Sequence, residues 1–210
     1  VMEFIAGQEL LAIQKRLRRK RRLMAIGQAV HITAKVARAL DHAHHAKDAR
    51  GTPLDIVHRD VSPHNVLISY AGDVKLIDFG IAKTSTQSLE TQVGVLKGKF
   101  SYMSPEQVRG RPLDGRSDLF ALGAVMYELL AGRRLFQGES DFHTLEKVRE
   151  AHIEAPSNHN PRVPAELDNI LLRALAREPD DRYPTCADFA DVLEDFLESA
   201  GAAYSQSQLS

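Results

Sequence analysis

Residues 58–65 read HRDVSPHN. An acid, Asp60, and an amide, Asn65, stand five positions apart with Pro63 between them. The flanking apolar runs, DIVH at 55–58, NVLIS at 65–69 and VKLID at 74–78, have the length and composition of strands. Tyr70-Ala71-Gly72-Asp73 reads as the hairpin turn joining the last two. Asp60 then lies on a loop between two short strands. Asp78 ends the strand paired with the one that Asn65 begins.

That topology brings Asn65 and Asp78 to one edge of a small sheet. Both offer hard oxygen ligands, and Mg²⁺ takes one or two of these together with substrate phosphates. Asp60, just upstream, is placed to accept a proton from a hydroxyl. Metal, base and little covalent work for the protein describe a phosphoryl-transfer site. Singly, each residue reads as a turn, a cap or a strand end. Their joint occurrence, in order, points to the chemistry.

Outward from this loop the chain is mostly helical. VMEFI at 1–5 is short, apolar and strand-like, and ends at Gly7. KRLRRKRR at 15–22 reads as the solvated face of a helix and its connecting loop, with a docking patch for an acidic partner as the lesser alternative. Ile26, Ala29, Val30, Thr33, Val36, Ala37 and Leu40 recur at helical spacing over about five turns. His42, His44 and His45 close that helix, where cations suit the dipole better than a metal does. Residues 84–101 are polar and aperiodic, a long loop of the kind that carries function. Ser104-Pro105-Glu106 starts a helix with proline in its first turn. Ser117 is expected to cap DLFALGAVMYELLAG, which is apolar on all sides and therefore buried, and Gly132 ends it. Amphipathic helices follow near 141–151, 164–177 and 184–199. Few strands and then many helices give an α+β fold, mostly helical.

Bulk properties agree. The 210 residues are 43% hydrophobic and 26% charged, with net charge −1. This is a globular chain, long enough for a sizeable core and not built as a whole to bind nucleic acid. One cysteine, Cys186, allows no internal disulfide and fits the cytoplasm; no apolar run is long enough to span a membrane.

HRDVSPHN, DFG at 78–80 and SPE at 104–106 resemble the catalytic loop, metal loop and activation-segment end of eukaryotic-type protein kinases, most closely the bacterial Ser/Thr enzymes. Asp118, Gly123 and Arg182 match further positions of that family, and VMEFIAGQEL resembles its hinge. The resemblance implies ATP and Mg²⁺ as cofactors and a protein Ser/Thr hydroxyl as acceptor. It implies Asp60 as base and Asn65 and Asp78 as metal ligands. Glu3 and Ile5 would meet adenine through their backbones, Glu9 the ribose and Leu67 the adenine face. His58 and Phe79 would stack in the core. Arg59, helped by Lys83, would pair with a phosphate on the segment 78–106, at Thr86 or Thr91. Glu106 would pair with Arg182, and Asp118 would anchor the catalytic loop.

The chain departs from the pattern in two ways. No Gly-rich loop, strand lysine or partner glutamate precedes the hinge, so residues 1–10 read as a hinge remnant, 11–199 as a C-terminal lobe and 200–210 as a flexible tail. Alone, such a lobe is expected to be inactive and to need its N-terminal lobe; a parent anchored in a membrane, or a non-catalytic scaffold derived from a kinase, fits the same pattern. Second, relatives carry Lys two residues after the catalytic Asp and Thr seven before the SPE glutamate. Here these are Ser62 and Lys99. The exchange is expected to put the Lys99 ammonium in the pocket from the other side, with Ser62 bonding to it or to Asp60.

Overall fold

The computed structural model describes residues 4–79 and 99–199. Strand β1 (Gly7–Glu9) leads into helix α1 (Leu10–Arg19), and α2 (Ile26–His44) follows. Strands β2 (Val66–Ser69) and β3 (Val74–Leu76) complete an antiparallel sheet ordered β1-β2-β3. A 3-10 turn at Lys99–Tyr102 precedes α3 (Pro105–Val108), α4 (Gly115–Ala131), α5 (Asp141–Glu150), α6 (Ala165–Ala174) and α7 (Cys186–Ser199). The mostly helical α+β expectation holds.

The core is built on α2 and α4. The apolar stripe of α2, from Ala29 to Leu40, is buried against α4 and α7. Every residue of α4 from Ser117 to Ala131 is buried, as its all-round apolarity requires. Gly132 closes this helix at φ 72°, a left-handed cap that glycine adopts without strain. The sheet is small but closely fitted: Gly7 lies opposite Ser69 and Glu9 opposite Leu67. A Cβ on Gly7 would come within 2.2 Å of the Ile68 carbonyl oxygen.

Three expectations are corrected. DIVH at 55–58 forms no strand. Asp55 takes a left-handed φ of 45°, and the His58 amide donates to the Asp118 side chain instead of to a neighbouring strand. The first strand is Gly7–Glu9, while residues 4–6 are irregular. Ser117 is not the cap of α4. Asp114 takes that place, its carboxylate accepting from the Arg116 amide, and Ser117 lies one turn inside with its hydroxyl donating to Glu106 Oε1 at 2.7 Å.

That serine joins a buried ion pair. Arg182 Nη1 and Nη2 each donate to one Glu106 oxygen at 2.8 Å, in the bidentate geometry that makes such pairs strong. The remaining guanidinium donors meet the carbonyls of Arg116, Ala176 and Arg177, and the Phe120 ring lies under its plane. Burial pushes the Glu106 carboxyl upward, but Arg182 and Ser117 outweigh it and hold it below its ordinary value of 4.5. The stability it contributes is therefore present above about pH 4.5 and is lost as pH falls through the lowered value. Arg182→Met strands the carboxylate and should cost roughly 3–5 kcal/mol in urea unfolding at pH 7. It should cost less at pH 4, where a stranded carboxyl takes up a proton; equal losses at both pH values would show that Arg182 acts through packing alone.

Candidate active site

The 58–65 loop is held from below by one carboxylate. Asp118, on the first turns of α4, accepts from the His58 amide (2.7 Å) and from His44 Nε2 (2.8 Å) through Oδ2. Its Oδ1 accepts from the Arg59 amide at 2.8 Å. Asp118 is 1% exposed, so all three donors are partnered away from water. Arg59 sits in the left-handed region (φ 65°), and its carbonyl accepts from Gln107 Nε2 at 2.9 Å. The loop is thus tied to α2, α3 and α4 together.

Within the loop, Asn65 Nδ2 donates to the Asp60 carbonyl at 2.8 Å. This commits the amide nitrogen and leaves the amide oxygen as the free end. The Ile77 amide donates to the Asn65 carbonyl at 2.9 Å, carrying the β2–β3 pairing to its end and setting Asp78 beside Asn65. Asp78 is exposed and left-handed (φ 58°), a conformation more open to Asp and Asn than to other side chains. His58 is fully buried, with Nε2 at 3.0 Å from the Ile77 carbonyl and its ring 4.7 Å from that of Phe79.

Lys99 reaches this loop from the 3-10 turn. Its ammonium donates to Asp60 Oδ2 at 2.5 Å, with 30% of the lysine side chain and 18% of the aspartate exposed. Lys99 and Asp60 are brought together across 39 residues. Ser62 is different: it is 1% exposed, and its hydroxyl has no hydrogen-bond partner among the described residues. The expected bond from Ser62 to Lys99 or Asp60 is not made: the Lys99 ammonium donates to Asp60, and the Ser62 hydroxyl is buried without a partner among the described residues.

At the sheet, Glu9 and Leu67 are paired across β1 and β2, and Ile5 lies two residues before β1. Glu9 Oε2 is 3.4 Å from His64 Nδ1, an exposed contact worth little in itself. Glu3, Lys83, Thr86 and Thr91 lie outside the described residues. Two contributors escaped the sequence reading. Gln107 was legible in principle, since Ser104-Pro-Glu-Gln107 is a capping-box pattern and both capping bonds are present. His44 gave no signal beyond a cation at a helix end.

Asp118→Ala would leave the His44 ring and two backbone amides without their acceptor in a buried site, at roughly 1–3 kcal/mol for each unpartnered group. Amide hydrogen exchange should accelerate at His58 and Arg59 well before it does at the α2–α7 contact. Uniform acceleration would mean that Asp118 supports the whole core and not the loop.

A protein kinase domain model matches residues 1–193. Among curated proteins, the tyrosine-protein kinase MasK of Myxococcus xanthus is 42% identical over 93% of this chain, and the serine/threonine-protein kinase PrkC of Bacillus subtilis is 37% identical over 93%. The chain spans 30% and 28% of those proteins' lengths. A crystal structure of the Mycobacterium tuberculosis PknI kinase domain superposes with a TM-score of 0.66 at 30% identity, covering 92% of this chain and 63% of that one. The motifs, their geometry and these likenesses converge: the chain belongs to the protein kinase domain family.

Proposed function

We propose that this chain is the larger-lobe part of an ATP- and Mg²⁺-dependent protein serine/threonine kinase, with residues 11–199 as the lobe and 78–106 as its activation segment. The observation that carries the reading is the Asp60 carboxylate, held on a pinned loop within one ion pair of Lys99 and next to Asn65. Asp60 would take the proton of the acceptor hydroxyl as its oxygen bonds to the γ-phosphorus and the bond from that phosphorus to the β,γ-bridging oxygen breaks, releasing ADP. The Asn65 amide oxygen and the Asp78 carboxylate suit Mg²⁺: both are hard oxygens, and two such ligands suffice where phosphates supply the rest. ATP, when bound, supplies the phosphoryl group, and the metal neutralises charge on it. Backbone groups of Glu3 and Ile5, the Glu9 carboxylate and the Leu67 side chain edge the nucleotide. Arg59 and Lys83 meet a phosphate at Thr86 or Thr91. The reading places the chain in the cytoplasm, where ATP is abundant, acting on a protein substrate and not on nucleic acid.

Lys99 replaces the cation that Ser62 lacks. An ammonium has three donors. One is used on Asp60, and the other two can meet oxygens of the transferring group, where a preorganised cation is worth a few kcal/mol. Residues beyond this chain would complete the nucleotide site, so residues 1–210 alone should transfer no phosphate. A tyrosine acceptor is the second reading, favoured by the name of the 42%-identical relative. Phosphoamino-acid analysis of a labelled product separates the two.

In a complete kinase domain containing these residues, Asp60→Asn should abolish transfer. Lys99→Ala should lower kcat by ~10²–10³, as loss of a transition-state charge partner does. Ser62→Lys together with Lys99→Thr should recover much of that loss. An unchanged kcat in Lys99→Ala, with altered peptide preference only, would make Lys99 a substrate-selecting residue.

A further inference from the structure

The cations of residues 15–22 have no part in phosphoryl transfer. Seven of these eight residues are Lys or Arg, and no Asp or Glu occurs from Leu10 to Leu40. Arg18 pairs with the buried Glu128 at 2.5 Å, and Glu128 also accepts from the Tyr102 hydroxyl. Lys15, Arg16, Arg19, Lys20, Arg21 and Arg22 have no ion pair among the described residues. The run is a solvated face, with all seven cations exposed, and its end also borders a cleft.

Helix α1 stops at Arg19, and the Arg22 amide turns back to the Leu17 carbonyl at 3.0 Å. This puts Arg21 in the left-handed region (φ 52°), which costs a non-glycine residue roughly 1–2 kcal/mol. The turn opens a cleft of about 640 Å³. Leu17, Leu23 and Met24 form its apolar lining, Arg21 and Arg22 stand on one side, and Arg162 comes from the α5–α6 connection. Arg162 is steered there by Asn160, whose Oδ1 accepts from its Nε at 3.3 Å; Asn160 is 3% exposed and tied to the Leu130 carbonyl. Guanidinium groups from two distant segments thus converge on apolar side chains with no acid between them.

A second observation lies nearby. Gln14, one turn before Leu17, lines a separate small recess of about 20 Å³ with Arg22, Leu23, Met24 and the Arg18–Glu128 pair. It is 5% exposed, and neither its amide nitrogen nor its amide oxygen has a partner among the described residues. Leaving a buried polar group unsatisfied costs ~1–3 kcal/mol. The recess has room for about one water and not for a peptide group, so the occupant is set by the larger cleft and its arginines.

We propose that this cleft docks an acidic peptide segment of a partner protein. Carboxylates meet Arg21, Arg22 and Arg162, and one apolar side chain seats on Leu17, Leu23 and Met24. Arginine suits this role because its planar fork pairs with a carboxylate bidentately. The proposal stands whether or not the chain transfers phosphate.

The probe is a fluorescein-labelled decapeptide of Glu and Asp with one central Leu, followed by anisotropy on the 210-residue chain. Binding should be saturable and should weaken as NaCl rises. Arg22→Glu with Arg162→Glu should weaken it about tenfold or more, because attraction becomes repulsion at both walls. Lys15→Glu with Arg19→Glu makes the same change of net charge at residues that line neither recess, and should stay within about twofold if contact and not bulk charge decides. Replacing the peptide's Leu by Ser should also weaken binding. Equal losses in both charge-reversed pairs would reduce the effect to bulk charge and overturn the proposal. So would sedimentation with phosphatidylserine vesicles without peptide binding, which assigns the face to a membrane.

Discussion

Burying Asp118 inside the helical core is the constraint on which the rest of the site depends. A lone carboxylate there would be heavily penalised by desolvation, so it must collect donors. It does so from three sources: the end of α2 through His44, and two successive amides of the 58–65 loop. Satisfying the charge and positioning the loop are therefore one event. Arg59 can be held left-handed because both its amide and its carbonyl are bonded outside the loop, to Asp118 and Gln107. The packing of α2 on α4 leaves little slack. A Cβ on Gly115 would come within 2.5 Å of the His44 ring, so glycine at the first turn of α4 is what lets His44 reach Asp118.

A second buried charge organises the other flank. Glu106 and Arg182 tie the start of α3 to the stretch before α7, and Ser117 adds α4 to the same cluster. The two clusters meet on α4, where Ser117 and Asp118 are adjacent and point to different partners. The 3-10 turn carrying Lys99 is held in the same way, through Tyr102 and Glu128 of α4. Burial and the neighbouring Glu128 carboxylate push the Tyr102 phenol upward, so it stays a hydrogen-bond donor. Lys99 is thereby presented to Asp60 from a fixed base, and the loop, the turn and α3 are all referred to a single buried helix.

Much of this was legible in the residues. Apolar periodicity located α2 and the C-terminal helices, all-round apolarity marked α4 as central, and glycine and proline marked the ends. The exchange of residue type between Ser62 and Lys99 also stood in the sequence. The misreadings share a cause. DIVH looks like a strand because its composition suits one, but its final amide is claimed by an aspartate sixty residues away. Ser117 looks like a cap because a serine precedes an apolar run, but Asp114 had already begun the helix and the serine was needed by Glu106. The basic run is a solvated face as read, its seven cations all exposed, but nothing local shows that its end borders a cleft shared with Arg162.

By itself the sequence determined the helical α+β class, the order of the motifs, the start of α3 and the residues available for chemistry. Tertiary structure alone decided that Lys99 meets Asp60, that Ser62 is buried without a partner, that His44 and Gln107 brace the loop, and that Gln14 is stranded beside a basic cleft. Helix period, caps and turns act over a few residues and are written in local order. A buried charge or amide takes whatever partner the packed chain brings within about 3 Å, and that partner is set by the packing of elements far apart in sequence.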